Sequence, residues 1–177
     1  MRRIILALIL CAVLQAATVS RMSIVAVENS FNKRLEQLVP GEPYLVLGQP
    51  QGVYLDNFGV VFTASVNLVE GPNLSPFRQN MKPAEVAALR QRKLDRLPHL
   101  RDAMREMLVD SAAMLDTVPQ NEQVVLAISL PRYHWENVAG LPAQIVMQGN
   151  RAALVSLRVR PASDASSIAA VIQVKEY

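Results

Sequence analysis

The side chains best suited to chemistry are concentrated in one short segment, Pro131–Asn137 (PRYHWEN), which we call the aromatic segment. It contains Arg132, Tyr133, His134, Trp135 and Glu136. A histidine close to a carboxylate can transfer protons, and neighbouring aromatic rings can stack on a ligand. The functional interpretation is therefore a binding or catalytic loop at the end of a sheet. The structural interpretation, which we favour, is that Tyr133 and Trp135 close the edge between sheet and helices while the charged groups face water.

A catalytic hypothesis for this segment needs a third group. His134 and Glu136 could act together with Asp56, provided that the hairpin turn containing Asp56 lies at the same end of the sheet. Such a set would suit a small hydrolase-like enzyme. The alternative is a domain that acts by binding or assembly without catalysis.

A second candidate site is a basic cluster on a predicted helix, formed by Arg90, Arg92, Lys93 and Arg96. Residues three or four positions apart lie on the same face of a helix. Such a patch could dock anionic lipid headgroups or an acidic envelope polymer. The interpretation we favour is a solvated face whose charge is neutralised by nearby acidic residues, namely Glu85, Asp95, Asp102 and Glu106.

Several common chemistries lack their motifs in this sequence. It contains no GxSxG or HExxH motif, no phosphate-binding glycine loop and no dinucleotide fingerprint. Its two histidines, His99 and His134, lie 35 positions apart, and nothing in the spacing of the acidic residues indicates a zinc site. We therefore predict no cofactor and no metal.

The elements that position these residues begin with the stretch Tyr44–Val69. Polar and apolar residues alternate from Val60 onwards, as a half-buried antiparallel strand requires. Asp56–Gly59 fits a tight hairpin turn or a glycine bulge, because Asp, Asn and Gly tolerate positive φ. Pro50–Gly52 predicts an earlier turn, after a strand over Tyr44–Gln49. The stretch 44–69 is thus predicted to be a meander of two or three adjacent antiparallel strands.

The helices follow from the spacing of apolar residues and from the prolines. Ser23–Leu38 has an amphipathic helical pattern. A second helix is predicted from Pro83, a residue suited to a first helical position, to Leu97. Pro98 is expected to kink or break it, because proline removes a backbone donor. A further helical run, His99–Val118, is expected to end at Pro119.

The remaining apolar runs predict further strands, Gln123–Leu130 and Ala143–Gly149. Residues 150–160 fit either the second strand of a hairpin or a short helix capped by Asn150, and Ile172–Tyr177 fits an edge strand. The fold class is therefore α+β: a single antiparallel-rich sheet (the meander 44–69 plus strands 123–130 and 143–149) packed on one side by long helices.

The N-terminus predicts export. Arg2 and Arg3 precede the apolar run Ile4–Leu14, and small and polar residues follow it, which is the pattern of a secretory signal peptide. Ile4–Val19 would span roughly 24 Å as a helix, short of a ~30 Å hydrocarbon core. We therefore predict a signal peptide over 1–20, an amphipathic helix and linker over 21–43 and a single α+β domain over 44–177. A membrane-tethered domain with an uncleaved anchor is the alternative.

Export changes how the composition is interpreted. Cleavage would remove two of the 18 basic residues and none of the 15 acidic ones, so the formal charge would fall from +3 to about +1. Cys11, the single cysteine, would also be lost, which leaves no disulfide and no thiol chemistry. We expect no nucleic-acid partner, and an envelope protein or an anionic envelope surface as the partner instead.

Three segments together resemble exported bacterial proteins that have no assigned activity. These are GVYLDNFGVVF, RKLDRLPHLRDAMREMLVDSA and the terminal VKEY. The resemblance covers most of the chain after residue 20 and implies a bacterial, periplasmic or extracellular setting. It brings no catalytic residues with it.

Overall fold

The computed structural model describes residues 19–37, 45–71, 81–159 and 165–177. These residues form four helices and six strands. In chain order they are α1 (Arg21–Gln37), β1 (Leu45–Val46), β2 (Gln51–Leu55), β3 (Gly59–Asn67), α2 (Pro83–Met114), β4 (Gln123–Ser129), β5 (Gln144–Asn150), α3 (Arg151–Val159), α4 (Ala165–Val171) and β6 (Gln173–Glu176). The proposed signal peptide, apart from its last two residues, lies outside the described residues.

The hairpin of β2 and β3 confirms the turn expected from the sequence. The two strands pair antiparallel, from Gln51 opposite Thr63 to Leu55 opposite Gly59. Between them Asn57 has a φ of 62° and Gly59 a φ of 130°. Gly59 is also crowded, because a Cβ atom there would lie 1.9 Å from the carbonyl oxygen of Gln123. Only glycine meets both conditions at this position.

The predicted meander is wrong in its first part. β1 does not form a third adjacent strand: β1 and β2 both pair with β3 and lie end to end along it. Leu45 lies opposite Asn67, whereas Gln51 lies opposite Thr63, so the register shifts by two residues between them. The expected turn at Pro50–Gly52 is instead a bulge over residues 48–50, which follows the hydrogen bond from Leu47 to Ser65 and in which Gly48 has a φ of 84°. Tyr44 lies outside the described residues.

The centre of the sheet is a parallel pair. β3 and β4 pair from Gly59 opposite Gln123 to Ser65 opposite Ser129. Parallel strands need a crossover connection, and α2 provides it. The other pairs are antiparallel, and the strand order is β1-β3-β4-β5-β6, with β2 also on β3. The sheet is therefore mixed and mostly antiparallel, and the α+β class predicted from the sequence is confirmed.

Helix α2 continues through Pro98, so of the kink or break expected there the break does not occur. Leu97 and Leu100, on either side of the proline, are both buried in the core, while Pro98 itself is exposed. Burial of these neighbours stabilises the helix where one backbone hydrogen bond is lost. The helix ends at Met114, several residues before Pro119.

All four helices belong to one layer on one face of the sheet. Phe31 of α1 packs edge-on against Phe62 of β3, with ring centroids 5.1 Å apart. Leu126 and Met147, on the same face of β4 and β5, are fully buried. Leu154 of α3 lies against Gly149 of β5. The core thus lies between the helices and alternate residues of β3, β4 and β5.

Of the two alternatives for residues 150–160, the structure has the helix, which is α3 over Arg151–Val159. The Asn150 side-chain oxygen accepts hydrogen bonds from the backbone N–H groups of Ala152 and Ala153, at 3.1 Å and 3.4 Å. This is the N-cap arrangement expected of asparagine. The closing edge strand at the C-terminus is confirmed as β6.

Candidate functional site

The aromatic segment lies at the end of the sheet where the parallel strands finish. It follows β4 directly, and the stretch Leu68–Gly71 follows the neighbouring strand β3. A Cβ atom at Gly71 would lie 3.1 Å from Cε2 of Tyr133, so the two segments are in contact. Arg96 of α2 donates a hydrogen bond to the carbonyl oxygen of Leu68 at 2.7 Å. Two strand ends and the first half of α2 therefore surround the segment.

A buried ion pair fixes the segment to α2. The Lys93 ammonium donates hydrogen bonds to both carboxylate oxygens of Glu136, each at 2.7 Å. Each side chain is only 4% exposed. Burial of two charges is costly unless they are paired and hydrogen-bonded, and this pair meets that condition. Glu136 is thus fully engaged in holding the segment against the helix.

The two aromatic rings form a stack beside this ion pair. The ring centroids of Tyr133 and Trp135 are 5.1 Å apart, and the planes differ by 3°. Trp135 is half-buried and packs against the core, whereas Tyr133 remains 45% exposed. A stacked pair gains attraction beyond its buried area, which holds the Tyr133 ring in a fixed orientation at the surface.

The structure does not bring the proposed catalytic residues together. Asp56 lies in the β2–β3 turn, next to the first residues of β3 and β4, whereas His134 and Glu136 follow the last residue of β4. Seven residues of β4 separate the two ends, a distance of roughly 20 Å. His134 is exposed, and within the described ranges no hydrogen bond or ion pair joins it to a carboxylate. The hairpin turn with Asp56 therefore lies at the opposite end of the sheet from His134 and Glu136, so the three residues do not form one catalytic set.

The basic cluster differs from the sequence-based description. Lys93 is buried in the pair with Glu136, and Arg90 donates two hydrogen bonds to the carbonyl oxygen of Ala139, at 2.8 Å and 2.6 Å. Arg96 binds the Leu68 carbonyl. Arg92 is the member whose side chain faces solvent. Three of the four groups thus attach loops to α2, because a cationic side chain is a good donor for buried carbonyl and carboxylate oxygens.

The burial of Lys93 has a signal in the sequence that the charge pattern obscured. Lys93 is four residues from both Leu89 and Leu97, so all three lie on one stripe of α2. A lysine on a buried stripe needs an anionic partner. The nearby carboxylate of the aromatic segment supplies that partner.

A second polar pair, which the sequence did not indicate, lies at the opposite end of the sheet. The Tyr54 hydroxyl donates a hydrogen bond to Oε1 of Glu122 at 3.1 Å. Glu122 is 7% exposed, and its Oε2 has no hydrogen-bond partner among the described residues. The pKa of Tyr54 is raised above its usual value of 10.0. Burial is the largest cause, followed by the hydrogen bond to Glu122 and by the negative charges of Glu122 and Asp56.

The described residues contain no group of three or more His, Cys, Asp or Glu side chains arranged to hold a metal ion. Across these same ranges, no helix combines the length and the apolar composition needed to span a membrane. A scan against protein-family models matched none of them, and searches of the curated proteins and of the solved structures found no match either.

Proposed function

We propose that this protein is an exported bacterial protein that acts by binding or assembly, without catalysis, and that the surface around Tyr133 is its contact site. The observation that carries the proposal is the fixed and exposed Tyr133 ring. It stacks on Trp135, and the Lys93–Glu136 pair anchors the same segment to α2. A rigid aromatic group offers contact area at little cost in conformational entropy.

The engagement of Glu136 also favours binding over catalysis. A general base must be able to reach the proton it removes. Both oxygens of Glu136 already accept hydrogen bonds from Lys93 in an enclosed position, so the carboxylate is engaged in the ion pair. The N-terminal pattern of two arginines, an apolar run and small residues supports the export part of the proposal.

The contact site is tested by retention of envelope proteins on the immobilised protein. We expect Tyr133→Ala to lose the proteins that the parent retains, and Tyr133→Phe to keep them. Phe58→Ala is a matched control, because Phe58 is 42% exposed and lies in the turn at the other end of the sheet. Equal retention by Tyr133→Ala and the parent would contradict the contact site. A turnover activity that is lost in His134→Ala, while that variant keeps the unfolding temperature of the parent, would contradict the absence of catalysis.

Export is tested separately, by the N-terminal sequence of the protein isolated from bacterial fractions. We expect a mature chain that begins after Ala17 or Ser20 and is recovered outside the cytoplasm. An intact N-terminus in the membrane fraction would instead indicate a tethered domain. An intact N-terminus in the cytoplasm would overturn the export proposal.

A further inference from the structure

The two edges of the sheet differ in how open they are to another strand. Along one edge, the bulge at residues 48–50 separates β1 from β2, and it contains Gly48 at positive φ and Pro50, which has no N–H. Bulges and prolines hinder pairing with a further strand. The other edge is β6, which has no proline, no glycine and no shift in register against β5. β6 is therefore the edge that can accept a further strand.

The hydrogen-bond pattern shows which groups of β6 point outwards. Tyr177 N–H donates to the Gln144 carbonyl at 3.0 Å, and Gln144 N–H donates to the Tyr177 carbonyl at 3.3 Å. Antiparallel pairs alternate between bonded and non-bonded, so Lys175, two positions earlier, also directs its backbone groups at β5. The N–H and C=O groups of Val174 and Glu176 therefore point away from the sheet. Among the described residues β6 pairs with β5 alone.

The surface beside this edge is an apolar groove whose charged neighbours are already paired. Ile168, Ile172 and Val174 form its apolar part, between α2 and the start of β6. Val174 lies opposite Met147, so it points to the helical face of the sheet, and it is 41% exposed. The charged side chains around the groove form three ion pairs, namely Asp102 with Arg105, Glu106 with Arg34, and Glu176 with Arg101. An occupant of this surface therefore needs no charge of its own.

The sequence of β6 is complementary to itself about a two-fold axis at Val174. With that axis, Val174 of each copy exchanges hydrogen bonds with Val174 of the other, because its N–H and C=O point outwards. The two valine side chains then meet on the helical face. On the opposite face, Lys175 of one copy lies beside Gln173 of the other, whose amide oxygen can accept a hydrogen bond from the ammonium. Glu176 lies opposite Ile172, so no like charges face each other.

The neighbouring registers are less favourable than the one at Val174. An axis at Lys175 would set two ammonium groups directly opposite each other, and an axis at Glu176 would do the same with two carboxylates. Like charges in these positions destabilise an antiparallel pair. An axis at Gln173 would set Val174 opposite Ile172, whose N–H already donates to a carbonyl of α4 at 2.8 Å. The charges and the backbone donors thus select Val174 as the residue on the axis.

We propose that β6 pairs with β6 of a second copy, so that the protein forms a two-fold dimer with one continuous sheet and with Val174 on the axis. β6 offers few outward backbone groups, so a flexible segment would gain few hydrogen bonds for the conformational entropy that it loses. A second copy brings a strand that is already ordered, together with its own groove. Because the bulge blocks the other edge, the pairing stops at two copies and does not continue into a fibre. The inference goes beyond the proposed function, because it concerns a surface other than that of Tyr133.

Sedimentation equilibrium of the purified parent is the first test. It should show a reversible equilibrium between monomer and dimer, with no larger species, because one edge of each sheet is open and the other is blocked. A parent that stays monomeric up to about 1 mM, or that forms a ladder of larger species, overturns the proposal.

Charge substitutions at Val174 test the position of the axis. Val174→Asp and Val174→Lys should each be monomeric where the parent is a dimer, because each sets two like charges directly opposite. An equimolar mixture of the two variants should form a one-to-one dimer, because opposite charges then meet. Each variant should keep the unfolding temperature that the parent has at concentrations where it is monomeric, since this side chain is 41% exposed. A dimer of either variant alone, or a mixture that stays monomeric, overturns the proposal.

Single cysteines test the register without adding charge. In a chain with Cys11→Ser, Val174→Cys should form a disulfide-linked dimer under mild oxidation, because directly opposite bonded residues have Cα atoms about 5.5 Å apart. Lys175→Cys is the matched control. Its two copies would lie roughly 8 Å apart, too far for a disulfide, so this variant should stay unlinked. A disulfide through Lys175→Cys in place of Val174→Cys overturns the proposed axis.

Two comparisons separate the dimer from the proposed contact site. Tyr133→Ala should form the dimer with the affinity of the parent, and Val174→Asp should retain the same envelope proteins as the parent. Loss of the dimer in Tyr133→Ala would move the contact between copies to the aromatic segment and overturn pairing through β6. Loss of retention in Val174→Asp would assign the β6 edge to an envelope protein and also overturn the proposal. If the parent is monomeric while Tyr133-dependent retention persists, only the inference about β6 fails.

Discussion

Lys93 and Glu136 form a closed ion pair between α2 and the aromatic segment, with the ammonium 2.7 Å from each carboxylate oxygen and both side chains 4% exposed. The pair joins the middle of a long helix to a loop 43 positions further along the chain. It therefore fixes the position of the Tyr133 ring on which the proposed contact site depends.

Breaking this pair should be strongly destabilising. Glu136→Gln leaves a buried ammonium without a counter-charge, and we expect the free energy of unfolding to fall by about 3–5 kcal/mol. The double variant Lys93→Met with Glu136→Leu removes both charges and should recover most of that loss. Urea denaturation measures both values. A neutral effect of Glu136→Gln alone would show that the pair is not enclosed in solution.

Two glycines with positive φ should respond differently to alanine. At Gly48 a Cβ atom meets nothing within 4 Å, so Gly48→Ala should cost only the backbone strain, about 1–2 kcal/mol. At Gly59 a Cβ atom would lie 1.9 Å from the Gln123 carbonyl oxygen, so Gly59→Ala should cost more than about 4 kcal/mol or prevent folding. Circular dichroism during thermal unfolding compares the two. Similar losses at both positions would contradict the close approach of β3 and β4 at Gly59.

The Tyr54–Glu122 hydrogen bond should make the free energy of unfolding depend on pH under alkaline conditions. The pKa of Tyr54 is raised in the folded chain, so above pH 10.0 the unfolded chain releases a proton that the folded chain keeps. The contribution to stability is complete below pH 10.0 and is lost as pH rises through the raised pKa. Tyr54→Phe should cost about 1 kcal/mol at neutral pH. The stability difference between parent and variant should shrink above pH 10.0, and a constant difference would contradict the assignment.

The Arg101–Glu176 pair should make the free energy of unfolding depend on pH under acidic conditions. The hydrogen bonds from Arg101 lower the pKa of Glu176 below its usual value of 4.5. The contribution of the pair is therefore complete above pH 4.5 and is lost as pH falls through the lowered pKa. Glu176→Gln should reduce stability by up to about 1 kcal/mol at neutral pH, because the pair is partly exposed. This difference between parent and variant should disappear at lower pH. A difference that grows on acidification would contradict the lowered pKa of Glu176.

The elements that sequence reasoning predicted well are those whose signal is local. The alternation after Val60 marks β3, and the apolar spacing of Ile24, Val27 and Phe31 marks α1. Each of these signals lies within a few residues of the element that it specifies.

What could not be predicted depends on residues far apart in the chain. The parallel pairing of β3 with β4 has no local signature, because the alternation of polar and apolar residues in β3 is typical of an antiparallel strand. Pro98 remains inside α2 because burial of Leu97 and Leu100 outweighs the low helix propensity of proline. The aromatic segment was recognised from its composition, but the role of Glu136 depends on Lys93, whose burial only the fold reveals.

The parallel centre of the sheet also determines the order in which the protein can assemble. Gly59 and Gln123, which are paired in the structure, are 64 positions apart, so the first half of the chain cannot complete its sheet during its own synthesis. Closing such a long loop costs entropy before any contact compensates for it, which slows folding. The newly made polypeptide thus stays open until the segment after α2 arrives, and this interval is the one in which the export proposed above would take place.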